Sequence, residues 1–376
     1  MRLTREIREY ALNVGYSAVG FTSVHGFAGY SEEVATRGER YSFFPVAQKA
    51  QTLAQDAPGA QSVIVLAWDY AQNAFPESLV GKVGRIYQAR CYAPPKHYQA
   101  AARLRLVQSF LEEKGCTLYP KVFVPERWAA AKAGITDYGK NNLAYAEGHG
   151  SFIVLQSLVV DAVLDVTDED PHTSRCPAGC TACMKACPTA ALYAPYRLEP
   201  KRCLAFNSFM TDAKRGGGIT DDIPIEIRDK MGEVVHGCDI CQQVCPRNKH
   251  RLQQALVPDV FLRELAEGFS LVGMLHCEDE FYHTRVRPIM YNYLKEKRFF
   301  QRNAAVALGN TRDEAYLPEL AKELDNEEEV VRGHVAWAVG HIGGAQATDA
   351  LQARLKSEEI PKVREELAMA LQAAQS

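Results

Sequence analysis

No stretch of this 376-residue chain approaches the roughly 18 consecutive apolar residues that a membrane span requires. Its apolar runs, such as 62–68 and 152–155, are strand-sized. The opening residues, MRLTREIREYALNVGYS, lack the continuous apolar core of a secretory signal, so the expectation is a cytoplasmic protein in a reducing compartment. A charge excess is missing as well. Lysine and arginine number 43 against 46 acids, a net charge of −3, so any footprint for a polyanion must be local. A composition of 47% apolar and 24% charged residues excludes a disordered chain. The length predicts two or three domains.

Cysteine, by contrast, is abundant and unevenly spread. Eight of the 11 cysteines lie within 176–245. In a reducing compartment such crowding points to metal ligation, not disulfides. Cys91, Cys116 and Cys277 stand apart and read as small buried apolar side chains.

The first 165 residues read as α/β. Residues 3–14 and 98–114 have helical apolar spacing, and 18–21, 62–68 and 152–166 are strand candidates. The polar segment DVTDEDPHT at 165–173 marks a boundary. Residues 256–295 look helical and connecting. Farther on, 302–309, 332–340 and 364–371 recur every 31–32 residues, and Leu320 and Leu324 match Leu351 and Leu355. Each unit offers two short helices that bury their apolar faces only by stacking, a short HEAT-like array. The expected division is 1–165 for an α/β cofactor and substrate domain, 166–255 for a ferredoxin-like double-cluster module, and 256–376 for an all-α connector and repeats.

Within the middle segment, Cys176, Cys180, Cys183 and Cys187-Pro188 form one run, and Cys238, Cys241 and Cys245-Pro246 another, with Cys203 between them. Ferredoxins that carry two clusters use C-x2-C-x2-C-x3-C-P, and the last cysteine of each run ligates the other cluster. Val235 stands where that pattern places a cysteine, and Cys203 substitutes for it. Pro177 replaces another, with Cys176 one residue early. The crossed assignment gives one 4Fe-4S cluster to Cys176, Cys180, Cys183 and Cys245, and the other to Cys187, Cys203, Cys238 and Cys241. A pair of zinc sites is the competing reading, and two C-x3-C-P endings weigh against it.

Taken together, HGCDICQQVCPRN (236–248), RNAAVALGN (302–310), AKAGITDYGKNNL (131–143) and SVIVLAWDY (62–70) resemble the epoxyqueuosine reductase family, which shares its catalytic core with reductive dehalogenases. The resemblance implies a reductase acting on an epoxide in a modified tRNA base, with cobalamin fed by two clusters. It also implies a low-potential donor, a ferredoxin or flavodoxin. Gly139, Lys140 and Asn141 match the family's AGLGWxGKN segment and are implied cobalamin-binding residues. Three features depart from the family. No acid stands at Tyr119-Pro120-Lys121, where the family has one upstream of P-x-x-[ED]-R (here Glu126-Arg127). None stands in Pro95-Lys96-His97-Tyr98, and Asp137-Tyr138 replaces a tryptophan.

Reductive cleavage of a carbon–heteroatom bond needs a proton, and Tyr138 is the candidate donor, with a lowered pKa expected of a donating tyrosine or lysine. The same ring could instead pack against cofactor or core. His149 reads as a turn histidine. The stretch 285–302 carries Arg285, Arg287, Lys295, Lys297, Arg298 and Arg302 against Glu296, with Tyr291, Tyr293, Phe299 and Phe300 interleaved; Arg247, Lys249 and Arg251 follow the second cysteine run. Such a zone could follow a phosphate backbone and stack bases, or be a solvated helix face with its apolar side buried. Two other classes of function remain open: an electron-transfer partner of a corrinoid enzyme, and a tRNA-binding module without chemistry.

Overall fold

The computed structural model describes residues 2–41, 53–91, 99–209, 221–290 and 296–375. The chain divides into two compact units. The first comprises Met1–Asn73, Tyr98–Pro200 and Ile240–Leu256, and the second Ala74–His97, Lys201–Asp239 and Val257–Ser376.

The first unit is built on a three-stranded sheet ordered β1-β2-β5, with β1 Ala18–Ser23, β2 Ser62–Asp69 and β5 Ile153–Val160. Both pairings are antiparallel, with Val19 opposite Leu66 and Leu66 opposite Gln156. All eight residues of the central β2 are buried, which explains its unbroken apolar run. Helix α1 (Arg2–Asn13) buries Ile7 and Ala11, one turn apart on a single face. Helices α2 (Ala28–Ala35) and α3 (Gln99–Glu113) follow in chain order.

The short α4 (Glu126–Lys132) packs Trp128, Ala129 and Ala130 into the core with Val63, Val65 and Val159. Its approach to the sheet needs glycine at position 20, where a Cβ would sit 2.8 Å from the Ala133 carbonyl oxygen. The chain leaving α4 is thereby pinned, and it runs directly into a tight hairpin, β3 (Asp137–Tyr138) and β4 (Ala144–Tyr145). A cysteine-bearing helix α5 (Ala182–Ala186), the ribbon β6 (Leu192–Ala194) and β7 (Arg197–Leu198), and α6 (Ile240–Gln243) complete this unit.

In the second unit α7 (Leu271–His276) leads to stacked helices α8 (Arg298–Thr311), α9 (Leu317–Lys322), α10 (Glu329–Ile342), α11 (Ala345–Ser357) and α12 (Pro361–Ala374). Glycine recurs where these helices cross. A Cβ on Gly309 would fall 2.8 Å from Ala338 Cα, and one on Gly340 would fall 2.5 Å from the Ala370 carbonyl oxygen. The 31-residue step between the two glycines is the sequence period seen as helix packing. His276 is held between Glu323 and Glu319, at 2.6 and 2.7 Å from its two ring nitrogens, tying α7 to α9 and the turn after it.

Within the basic stretch 285–302, the described residues 297–302 are engaged with the protein itself. Phe299 and Phe300 lie in the core and offer no face to a base. Arg302 is 1% exposed and donates to the backbone carbonyls of Asn207 and Asp221. Lys297 pairs with Asp279 at 2.8 Å, and Arg298 with Glu296 and Glu328 at 3.0 and 3.1 Å. Tyr291, Tyr293 and Lys295 lie outside the described residues, as do Pro95-Lys96-His97-Tyr98. Among the described residues no helix is long and apolar enough to cross a membrane.

Candidate metal centre

Four cysteines of the first unit line one concavity: Cys176, Cys180, Cys183 and Cys245. They are the set that the crossed spacing gives to one cluster. All are unbridged. Burial pushes the Cys183 thiol up, and the neighbouring Cys245, Cys176 and Cys180 push it further. Tetrahedral zinc at about 2.3 Å from each ligand would need sulfurs about 3.8 Å apart. Among the described residues no group of three or more Cys, His, Asp or Glu side chains is spaced to hold a single ion. The donor set, four thiols around a shared hollow, fits a cluster. Cys187 and Cys241 belong to the first unit and Cys203 and Cys238 to the second, all half-buried. Cys91, Cys116 and Cys277 are buried single thiols, and burial pushes Cys277 up to about 12.

The β3–β4 hairpin forms one wall of the hollow. Lys140 is buried, and its ammonium donates to the carbonyls of Pro177 and Ala178 at 2.7 Å and of Cys180 at 3.1 Å. Its backbone N–H points at Cys176 Sγ, 3.4 Å away. Asn141 Nδ2 donates to the Tyr145 hydroxyl at 2.9 Å, and that hydroxyl donates to Cys245 Sγ at 3.2 Å. Arg247, two residues after Cys245, makes a two-pronged pair with Asp137 at 2.7 and 2.6 Å and covers the Tyr145 ring at 4.2 Å. Gly139 donates its N–H to the Leu143 carbonyl at 2.8 Å. The polar side chains of Lys140 and Asn141 are therefore committed to the cysteine loop and to Tyr145. Lys140 thus bonds backbone, one of the two parts, cofactor amide or backbone, that the sequence left open to it.

Tyr138 is half-buried beside this wall. Burial pushes its phenol up to about 12, against the opposing pull of Arg127 and Arg37, the reverse of the lowered value expected of a donor. Glu126, at the start of α4, is pushed by burial up to about 7, while a hydrogen bond with Ser157 pulls it back. Arg127 donates to the Asn142 carbonyl at 2.5 Å. His149 hydrogen-bonds through Nδ1 to buried Asp69 at 2.9 Å, and Arg251 takes the same carboxylate oxygen at 2.6 Å, so the turn histidine is braced. Tyr145 and the ionisation of Glu126 escaped the sequence reading. The available signal for Tyr145 was its place on the second strand of a hairpin whose strands are only two residues long.

Two family descriptions match the chain: a 4Fe-4S double cluster binding domain at residues 175–248 and HEAT repeats at 295–372. Among curated relatives, the epoxyqueuosine reductase of Pseudomonas aeruginosa is 31% identical over 91% of this chain and 95% of its own length. That of Alicycliphilus denitrificans is 30% identical, covering 90% of this chain and 98% of its own. Among solved structures, an epoxyqueuosine reductase with an epoxyqueuosine-modified tRNA-Tyr stem loop superposes with a TM-score of 0.81 at 27% identity, covering 100% of this chain and 99% of that one. The Bacillus subtilis enzyme, with its catalytic loop swung out of the active site, gives 0.80 at 27% identity and 99% coverage of both chains.

Proposed function

The chain belongs to the epoxyqueuosine reductase family, and from that premise we propose that it reduces a carbon–heteroatom bond in the cytoplasm, with the epoxide of epoxyqueuosine in tRNA as substrate. The observation that carries the reading is the ring of Cys176, Cys180, Cys183 and Cys245 walled by the hairpin that bears Tyr138.

Removing an epoxide oxygen as water consumes two electrons and two protons. The cysteine spacing assigns one 4Fe-4S cluster to the walled set and a second to Cys187, Cys203, Cys238 and Cys241, supplied by a ferredoxin or flavodoxin. The proposed functional division, 1–165, 166–255 and 256–376, follows the cysteine segment and differs from the two compact units, which share 166–255 between them. Cobalamin, when bound, supplies the reducing metal for such a cleavage. Its presence rests on family membership, and Gly139, Lys140 and Asn141 are the residues that the family resemblance would give to it. Equilibrium dialysis under anaerobic conditions tests that binding. Its absence with both clusters intact would favour an electron-transfer partner of a corrinoid enzyme.

Tyr138 is the candidate proton donor. Burial makes its phenol a weaker acid than the donor role calls for, and Arg127 and Arg37 offset part of that by favouring the phenolate left behind. The lack of an acid in Tyr119-Pro120-Lys121 keeps a second reading alive, reduction of a different substrate by the same core. The test is anaerobic turnover of an epoxyqueuosine-bearing tRNA stem loop with a low-potential donor and cobalamin. Wild type should reduce it, and Tyr138→Phe should lose roughly 10²-fold or more in kcat with cluster content unchanged. No reduction by the wild type rejects the tRNA substrate.

A further inference from the structure

A phenol hydroxyl carries a single hydrogen and can accept as well as donate. At Tyr145 both roles are filled. Asn141 Nδ2 donates to the oxygen at 2.9 Å, Ser151 is a further hydrogen-bonding neighbour of the phenol, and the hydroxyl hydrogen is directed at Cys245 Sγ, 3.2 Å away. The ring is 1% exposed and has no room to swing. On one side a Cβ at Gly139 would collide with it and with Asn141 Oδ1, so only glycine lets the ring sit there. On the other, Arg247 lies 4.2 Å from the ring centroid, anchored by its two-pronged pair with Asp137. Four residues of the hairpin and one after Cys245 thus aim a single O–H at one cysteine sulfur.

An O–H···S bond of this kind has a defined electrostatic consequence. An electron added to a cluster spreads negative charge onto its sulfurs, and a donor fixed against one of them favours the more negative state. We propose that Tyr145, oriented by Asn141, is a tuning residue of the cluster held by Cys176, Cys180, Cys183 and Cys245, raising its midpoint potential relative to the same cluster without the hydroxyl. This rests on the cluster assignment above. It gives the Gly139-Lys140-Asn141 segment a second-sphere role in electron transfer.

The test is an EPR-monitored redox titration of the full, anaerobically reconstituted chain. Tyr145→Phe keeps the ring and removes only the hydroxyl. The variant should shift one midpoint downward, so that at the wild-type midpoint the reduced-to-oxidised ratio of that cluster falls about tenfold, roughly 59 mV for one electron. The second midpoint and the iron content should not move. Should Tyr145→Phe fail to hold its clusters, Asn141→Ala leaves the phenol in place with its hydroxyl free to rotate, and it should shift the same midpoint in the same direction by less. Unchanged midpoints at full iron content, or equal shifts of both, overturn the proposal. A wild-type protein without iron and sulfide sinks the cluster assignment itself, a separate failure visible before any variant is compared.

Discussion

Glu126 shows how burial rewrites a residue that the sequence presents as half of an ordinary Glu-Arg pair. A carboxyl raised from 4.5 to about 7 keeps its proton in the folded chain where the unfolded chain has lost it. Stability is then fully present below about pH 4.5 and declines as pH rises to about 7, by up to roughly 3 kcal/mol. Glu126→Gln, close in shape and without charge, should flatten that decline, so that the variant melts above wild type at pH 8 and near it at pH 5. Parallel wild-type and variant curves would show that the carboxyl ionises freely. At this scale the cysteines were legible because ligand spacing within C-x2-C and C-x3-C-P is local. The work of Lys140 was not. Its acceptors, Pro177, Ala178 and Cys180, come 37–40 residues later in the chain, and no periodicity announces such a pairing. The missing tryptophan at Asp137-Tyr138 likewise acquired meaning only once Asp137 was seen gripping Arg247.

Among elements, those that repeat or run long were readable. The α8, α10 and α12 helices could be found by period because each solves the same burial problem, and β2 by its unbroken apolar run. The order β1-β2-β5 could not, since antiparallel neighbours about 40 to 50 residues apart for β1–β2 and 84 to 98 for β2–β5 leave no local mark. The basic stretch misled for a related reason: an arginine at the start of a repeat helix looks solvated. Arg302 is instead buried to satisfy carbonyls of 207 and 221. The tightest element contact gives a direct test. A methyl group at Gly340 would meet the Ala370 backbone, at 2.5 Å from its oxygen and 2.7 Å from its Cα, with no flexible side chain to yield. Gly340→Ala gains helix propensity of roughly 1 kcal/mol, yet overpacking of this kind costs about 1–3 kcal/mol. Crossing wins, so thermal melting should show a net loss of stability. A rise in the melting temperature would mean that α10 and α12 can separate freely.

For the whole molecule, the open matter is what the substrate touches. Family membership directs attention to tRNA, and an electrostatic interface with a polyanion should reveal itself through salt dependence. The local charge around 296–298 argues against seeking that interface there. Lys297 and Arg298 are met by Glu296, Asp279 and Glu328, two cations against three acids, and Phe299 and Phe300 are spent on the core. A phosphate approaching these cations would have to displace carboxylates already in place. Exchanging one partner for another releases few counterions, and counterion release is the source of the salt slope. The double variant Lys297→Gln, Arg298→Gln should therefore leave the log–log salt dependence of tRNA stem-loop binding within about half a unit of wild type. Two genuine phosphate contacts would remove about 1.4–1.8 units. Its cluster content should be untouched, because neither position belongs to the cysteine segment. A slope flattened by the larger amount would return the interface to this helix and imply that tRNA opens the ion pairs on binding. An unchanged slope with tight wild-type binding would leave the polyanion to be held by cations elsewhere.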